Sequence, residues 1–160
     1  MQISDQEESI IDFDWFAIDK EVAIGSFITG GWGAMPRSVA ASAEDLKTIT
    51  EYFKNCLAPI GSPLVNEDFV SFVKLREGET AKATYLKHFI KMASQGLYSY
   101  DCLYTGKRPT GYFQVAAPSV VLLAVNLPAG TYQILERTVF KEVCFRTSDR
   151  IAYETIERVS

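Results

Sequence analysis

Few residues in this chain have types and spacings that could do chemistry. His88 is the only histidine, which excludes a multi-histidine metal centre. A Cys–His dyad would need His88 beside one of the cysteines, an arrangement the sequence does not define. Cys56, Cys102 and Cys144 lie 46 and 42 residues apart. An odd count without close spacing argues against a disulfide framework and against a zinc motif, and predicts three reduced thiols, mostly buried. Asp12 and Asp14 sit two apart on a predicted strand, so both point to one face. Such a pair can raise a pKa or hold a hard cation, but no third positioned carboxylate accompanies it. The pair reads as a solvated acidic lip. No G-x-S-x-G elbow is present. No catalytic set, metal site or cofactor is expected.

The stretch Thr29-Gly30-Gly31-Trp32-Gly33-Ala34-Met35-Pro36 invites a phosphate-loop reading. It fails that reading twice. A dinucleotide fingerprint needs a third glycine where Pro36 stands, and a P-loop needs Gly-Lys-Ser/Thr, whereas the nearest cation is Arg37. The glycines are expected to supply positive φ in a strand-to-helix turn. Trp32 either plugs the core or stands out for recognition. A second cluster, Gly96 to Tyr112, carries Tyr98, Tyr100, Tyr104 and Tyr112 with Asp101, Lys107 and Arg108. Gly106, Pro109 and Gly111 predict a loop there. Tyrosine and arginine anchor protein interfaces because each combines large contact area with a polar end. The alternative is that half of these tyrosines pack on the sheet.

The elements that must position these groups can be read along the chain. Ile11–Ile18 and Val22–Thr29 alternate apolar and polar residues across the polar link Asp19-Lys20-Glu21, which predicts a β-hairpin. Phe13, Trp15 and Ala17 should face inward, with the acidic pair turned to solvent, and Gly25 marks a bulge or a close backbone approach. Ser42 caps a helix over 43–56 with its stripe at Leu46, Ile49, Tyr52, Phe53, Cys56 and Leu57. Residues 64–75 lean to a helix. A second amphipathic helix spans 80–95 and ends at Gly96. Strands are predicted at 111–117, 120–125, 139–145 and 150–156, with a short helix through Arg137. The order gives a single α+β domain over 1–160: an N-terminal β-hairpin, two amphipathic helices, and a mainly antiparallel sheet completed by C-terminal strands. Residues 1–9 have the composition of a disordered acidic N-terminus.

Charge is uneven. Residues 1–21 hold seven acidic residues against one Lys (−6), and the remainder holds 13 acidic and 15 basic residues (+2). That balance disfavours nucleic acid and fits encounter with a basic partner. Ten Phe, eight Tyr and two Trp supply a real core, the longest apolar run is too short to span a membrane, and cytoplasmic residence is the default expectation.

Phe13–Val39 (FDWFAIDKEVAIGSFITGGWGAMPRSV) and Gly96–Ser119 (GLYSYDCLYTGKRPTGYFQVAAPS) resemble segments of small uncharacterised bacterial proteins, some of the kind encoded near polymorphic toxins as candidate immunity proteins. The resemblance is to pattern and order and carries no functional residue across. It implies a non-enzymatic protein-binding module that neutralises a partner toxin. The expected binding residues are Trp32, Tyr98, Tyr100, Asp101, Arg108 and Tyr112, with Asp12 and Asp14 as the acidic lip. Two other readings stand beside it. One is a small-molecule binder or enzyme with its pocket between the 29–36 and 96–112 loops, using Asp12, Asp14 or Asp101 as acid–base groups and Arg108 as an anion clamp. The other is a structural homo-oligomer.

Overall fold

The computed structural model describes residues 1–31, 35–72, 79–105 and 108–159. In chain order the elements are α1 (Asp5–Glu8), β1 (Asp14–Asp19), β2 (Ile24–Ile28), α2 (Arg37–Ala40), α3 (Ala43–Asn55), β3 (Pro63–Val65), α4 (Glu67–Phe72), α5 (Glu79–Ser94), β4 (Tyr98–Thr105), β5 (Arg108–Pro118), α6 (Ala129–Leu135), β6 (Val139–Phe140), β7 (Arg150–Ala152) and α7 (Tyr153–Arg158). The strands form one mixed sheet in the order β3-β5-β4-β2-β1-β6. The outer edge of β5 is shared: β3 lies along Ala116–Pro118 and β7 along Gly111–Phe113. Most pairings are antiparallel, while β2/β4 and β1/β6 run parallel. The domain is α+β and opens on the predicted hairpin, with Trp15 opposite Phe27 and Ala17 opposite Gly25.

The sheet is covered on both faces, so β1 is buried on both sides. Phe16 and Ile18, expected on the wet side with the aspartates, are as buried as Trp15 and Ala17. One face is aromatic. Trp15 stacks on Phe27 (centroids 4.1 Å apart) and Phe27 on Tyr100 (4.9 Å), with Phe140 and Phe145 of the C-terminal segment closing over them. Gly25 permits this closure, since a Cβ there would lie 2.7 Å from the Phe27 ring and 2.9 Å from the Phe145 ring. The opposite face packs against helices. The Phe53 ring of α3 lies on Phe16, and Leu86, Phe89 and Ala93 of α5 pack with Phe113, Val115 and Ala116. Both helices form as their apolar spacing requires, and the Ser42 hydroxyl accepts the Asp45 N–H as the N-cap. Gly96, at φ +100°, stops α5 where a left-handed residue is needed.

Several expectations are corrected. The described residues of 98–112 are not a loop but strands of the β4–β5 hairpin, where long antiparallel pairing outweighs the glycine and proline signals, while Gly106 and Lys107 lie outside the described residues. In the stretch 64–75, the described residues up to 72 hold the strand β3 and the helix α4, and 73–75 lie outside the described residues. Residues 120–125 form no strand: Leu123 makes an isolated bridge to Ala23, and a short 3-10 helix begins at Ala124. The strand expected over 139–145 stops at Phe140, the one at 150–156 turns helical at Tyr153, and the helix after Pro128 ends at Leu135. The acidic N-terminus contains the short helix α1. Ser4 and Glu7 form a capping box on α1, Ile3 is buried, and the Ile3 N–H donates to the Ala40 carbonyl. Cys56, Cys102 and Cys144 are free thiols; Cys56 is exposed and the other two are buried. Among the described residues no helix is long and apolar enough to cross a membrane.

Candidate functional site

Strand direction decides which residues meet. β1 is antiparallel to β2, so it begins where β2 ends, and β4 runs parallel to β2. Asp14, Ile28 and Asp101 therefore fall on one row across three strands. With strands roughly 4.8 Å apart, the Asp14 and Asp101 backbones are about 10 Å apart on the helix-covered face. Both helices add polar groups to this end. Lys54 of α3 pairs with Asp14 at 2.8 Å. The Tyr85 hydroxyl of α5 donates to Asp101 Oδ2 at 2.5 Å, and the Cys102 N–H donates to its Oδ1 at 2.8 Å. Burial pushes the Asp101 carboxyl up, against the lowering effect of these two bonds, and the nearby Asp12 charge adds to the rise.

The turn after β2 closes the same end. Gly30 (φ +63°) and Gly31 (φ +78°) take the left-handed conformation that glycine was expected to supply. The Gly30 N–H donates to Asp12 Oδ1 at 2.8 Å, and the Phe13 N–H donates to Thr29 Oγ1 at 2.8 Å. The Tyr104 hydroxyl reaches the Thr29 carbonyl at 3.3 Å, so the turn and the β4–β5 hairpin touch. Trp32 lies outside the described residues.

His88 of α5 belongs to this end as well. Its Nε2 is buried without a hydrogen-bond partner, and burial lowers its pKa. Asp14 and Asp12 work against that shift, while Lys54 and Lys91 reinforce it. Beside the row lies an open depression of about 530 Å³. Ile3, Phe13 and Leu46 supply apolar lining, and Asp12, Asp14, Glu51, Lys47 and Lys54 supply charge.

The structure separates the expected binding residues. Tyr98, Tyr100 and Tyr112 are buried in the aromatic face and are not surface anchors. The Tyr100 hydroxyl donates to the Ser148 carbonyl and accepts from Gln114 Nε2, and the Tyr112 hydroxyl accepts the Trp15 indole N–H. Alternation along two central strands turns Tyr98, Tyr100 and Tyr112 inward, a period hidden by reading the stretch as loop. Asp101 is pinned beneath α5, and Arg108 is exposed at the start of β5. Asp12 and Asp14 do share one end, but Asp12 precedes the strand and clamps the glycine turn.

Sequence reasoning found no sign of Lys54 or Tyr85 and no place for His88; all three reach the row only through the packing of α3 and α5. It also missed Ile10 and Ile11, which are 69% and 42% exposed between α1 and β1. Their signal was an aliphatic pair set among acids at the very start of the predicted strand. Among the described residues no group of three or more His, Cys, Asp or Glu is arranged to hold a metal ion. Each of the three aspartates already has a partner inside the chain, so the arrangement fixes charge at this end. No protein-family model, curated protein or solved structure matches this chain.

Proposed function

We propose that this protein acts by binding a basic protein partner at its acidic end, as an immunity-type protein that neutralises a toxin would. The observation that supports this most is the placement of Ile10 and Ile11. Two large aliphatic side chains stand outward in a segment whose charged residues, Asp5, Glu7, Glu8, Asp12 and Asp14, are all acidic. The capping box and the Asp12–Gly30 bond fix the backbone on either side of them. Acidic surface accelerates encounter with a basic partner, and preorganised aliphatic anchors supply affinity at low ordering cost. The adjacent depression offers apolar floor and charged rim to a partner side chain. The tyrosine surface has no part in this reading.

A pull-down from the source cell's lysate at low and high salt, read by mass spectrometry, tests it. The expected result is one stoichiometric basic protein, weakened at high salt and lost when Ile10 and Ile11 are both replaced by serine. Recovery of the chain alone, or a partner that the double variant retains, contradicts it.

The small-molecule reading keeps one specific observation: the buried, unpartnered His88 Nε2 lies within electrostatic reach of Asp12 and Asp14, and Asp12 within reach of Asp101. Arg108 is the residue proposed there as anion clamp. A thermal-shift screen of metabolites, repeated on Asp101→Asn, separates this reading from the first.

A further inference from the structure

The opposite end of the sheet carries a different surface. After β5 the chain runs Pro118-Ser119-Val120-Val121-Leu122-Leu123-Ala124-Val125 across the start of β2 and β4. Leu122 and Ala124 turn inward; Val120, Val121, Leu123 and Val125 stay exposed, Val125 to 59%. Ile60, also exposed, joins them across Gly96, where a Cβ added to the glycine would lie within 3 Å of both the Ile60 Cδ1 and the Leu122 Cβ. The outward side chains are held there by the backbone. The Leu122 N–H donates to the Gly96 carbonyl at 3.0 Å and the Ala124 N–H to the Val22 carbonyl at 2.9 Å.

The two segments that present these aliphatic side chains carry no charge, and the β1–β2 turn that holds them adds one lysine and one glutamate, Lys20 and Glu21, which cancel. No Asp, Glu, Lys or Arg occurs from Leu57 to Asn66 or from Pro109 to Leu135. A contiguous aliphatic patch of this kind on a chain of ordinary charge content marks an interaction site.

We infer that this aliphatic end is a self-complementary interface that docks a second copy of the same chain. Two features select that occupant. An uncharged aliphatic patch meets its own copy about a two-fold axis with no like charges opposed and no charge left unpaired. The chain is also −4 overall, with α1, Asp12 and Asp14 at the far end of β2. Docking through the neutral end holds the two acidic ends apart, whereas docking through any part of the acidic end would oppose them. The dimer leaves Ile10 and Ile11 outward on both copies, so this interface and the proposed partner surface stand or fall separately.

Sedimentation equilibrium of the intact chain from low to high micromolar concentration tests the inference, beside the double variant Val121→Asp/Val125→Asp. The expected result is a wild-type dimer and a variant whose dimer dissociation constant rises at least about 100-fold, with unchanged circular dichroism. Hydrogen exchange on the wild type gives an independent reading: the amides of 120–125 should gain protection as concentration rises. A wild-type chain that is monomeric throughout overturns the inference, and one that then binds neutral phosphatidylcholine vesicles shows a lipid surface as the occupant. A dimer that the variant retains, or that leaves the 120–125 amides unchanged, overturns it too.

Discussion

Replacing Asp19 by alanine should cost more stability than any other change to a charged residue of the sheet. Asp19 is only 2% exposed. It accepts the N–H groups of Glu21 (2.9 Å) and Ala23 (3.0 Å) on Oδ1 and that of Phe145 (2.7 Å) on Oδ2. These bonds hold the turn between β1 and β2, where Val22 sits at φ +65°, a conformation β-branched residues rarely adopt. They also fasten the C-terminal segment whose Phe145 ring covers the aromatic face. Alanine leaves the Ala23 and Phe145 N–H groups buried without acceptors, at about 1–3 kcal/mol each, while the Glu21 N–H can turn to water. The loss should be about 4 kcal/mol, a large part of the 5–15 kcal/mol typical of a domain. Asparagine keeps one acceptor oxygen and should lose roughly half as much. Guanidinium denaturation followed by tryptophan emission measures it, since Trp15 lies in the same face. The midpoint for Asp19→Ala should fall by roughly 1 M, with the Phe145 amide losing its exchange protection. A midpoint within about 0.2 M of wild type would refute the reasoning.

Three further outcomes follow from single sites. Gly111→Ala should destabilise by about 3 kcal/mol or more, because φ is +140° and the new Cβ would lie 2.1 Å from the Ile151 carbonyl oxygen, prising β7 from β5; thermal unfolding reads it. His88, whose pKa burial lowers from 6.5, stays neutral in the fold to lower pH than in the unfolded chain. Stability is therefore full above pH 6.5 and falls as pH drops through the folded pKa; the single imidazole NMR signal should titrate below 6.5, and His88→Gln should flatten that part of the stability profile. Asp101 shifts the other way, so its contribution is greatest below 3.8 and is lost as pH rises through its folded pKa. Tyr85→Phe removes a donor to the carboxylate and should raise that pKa further, which carboxyl NMR titration would show.

What the sequence made legible was local. Ser42 with the Leu46–Ile49–Phe53 spacing defined α3, Gly96 ended α5, and Gly30 and Gly31 took the positive φ of a strand-to-helix turn. These features depend on neighbours within one or two turns of chain. The β4–β5 hairpin was hidden because Pro109 and Gly111 look like breakers, whereas Gly111 is required for β7 to approach and Pro109 sits near the hairpin tip. The site was half visible for the same reason. Asp12 and Asp14 are close in sequence, but Asp101, Tyr85, His88 and Lys54 join them only through parallel pairing of β2 with β4 and the seating of α3 and α5. Ile10 and Ile11 became informative only once β1 was seen to start at Asp14, which leaves them outside the sheet.

The measurement that tests the acidic-end account most directly is the binding kinetics of the captured partner with the wild-type chain and with Ile10→Ser/Ile11→Ser. The account predicts a wild-type association rate that falls at least about tenfold as salt rises to physiological strength. It predicts the same association rate for the variant, with dissociation at least about 30-fold faster, the equivalent of about 2 kcal/mol. A salt-independent association rate, or a variant that dissociates as slowly as the wild type, would contradict it.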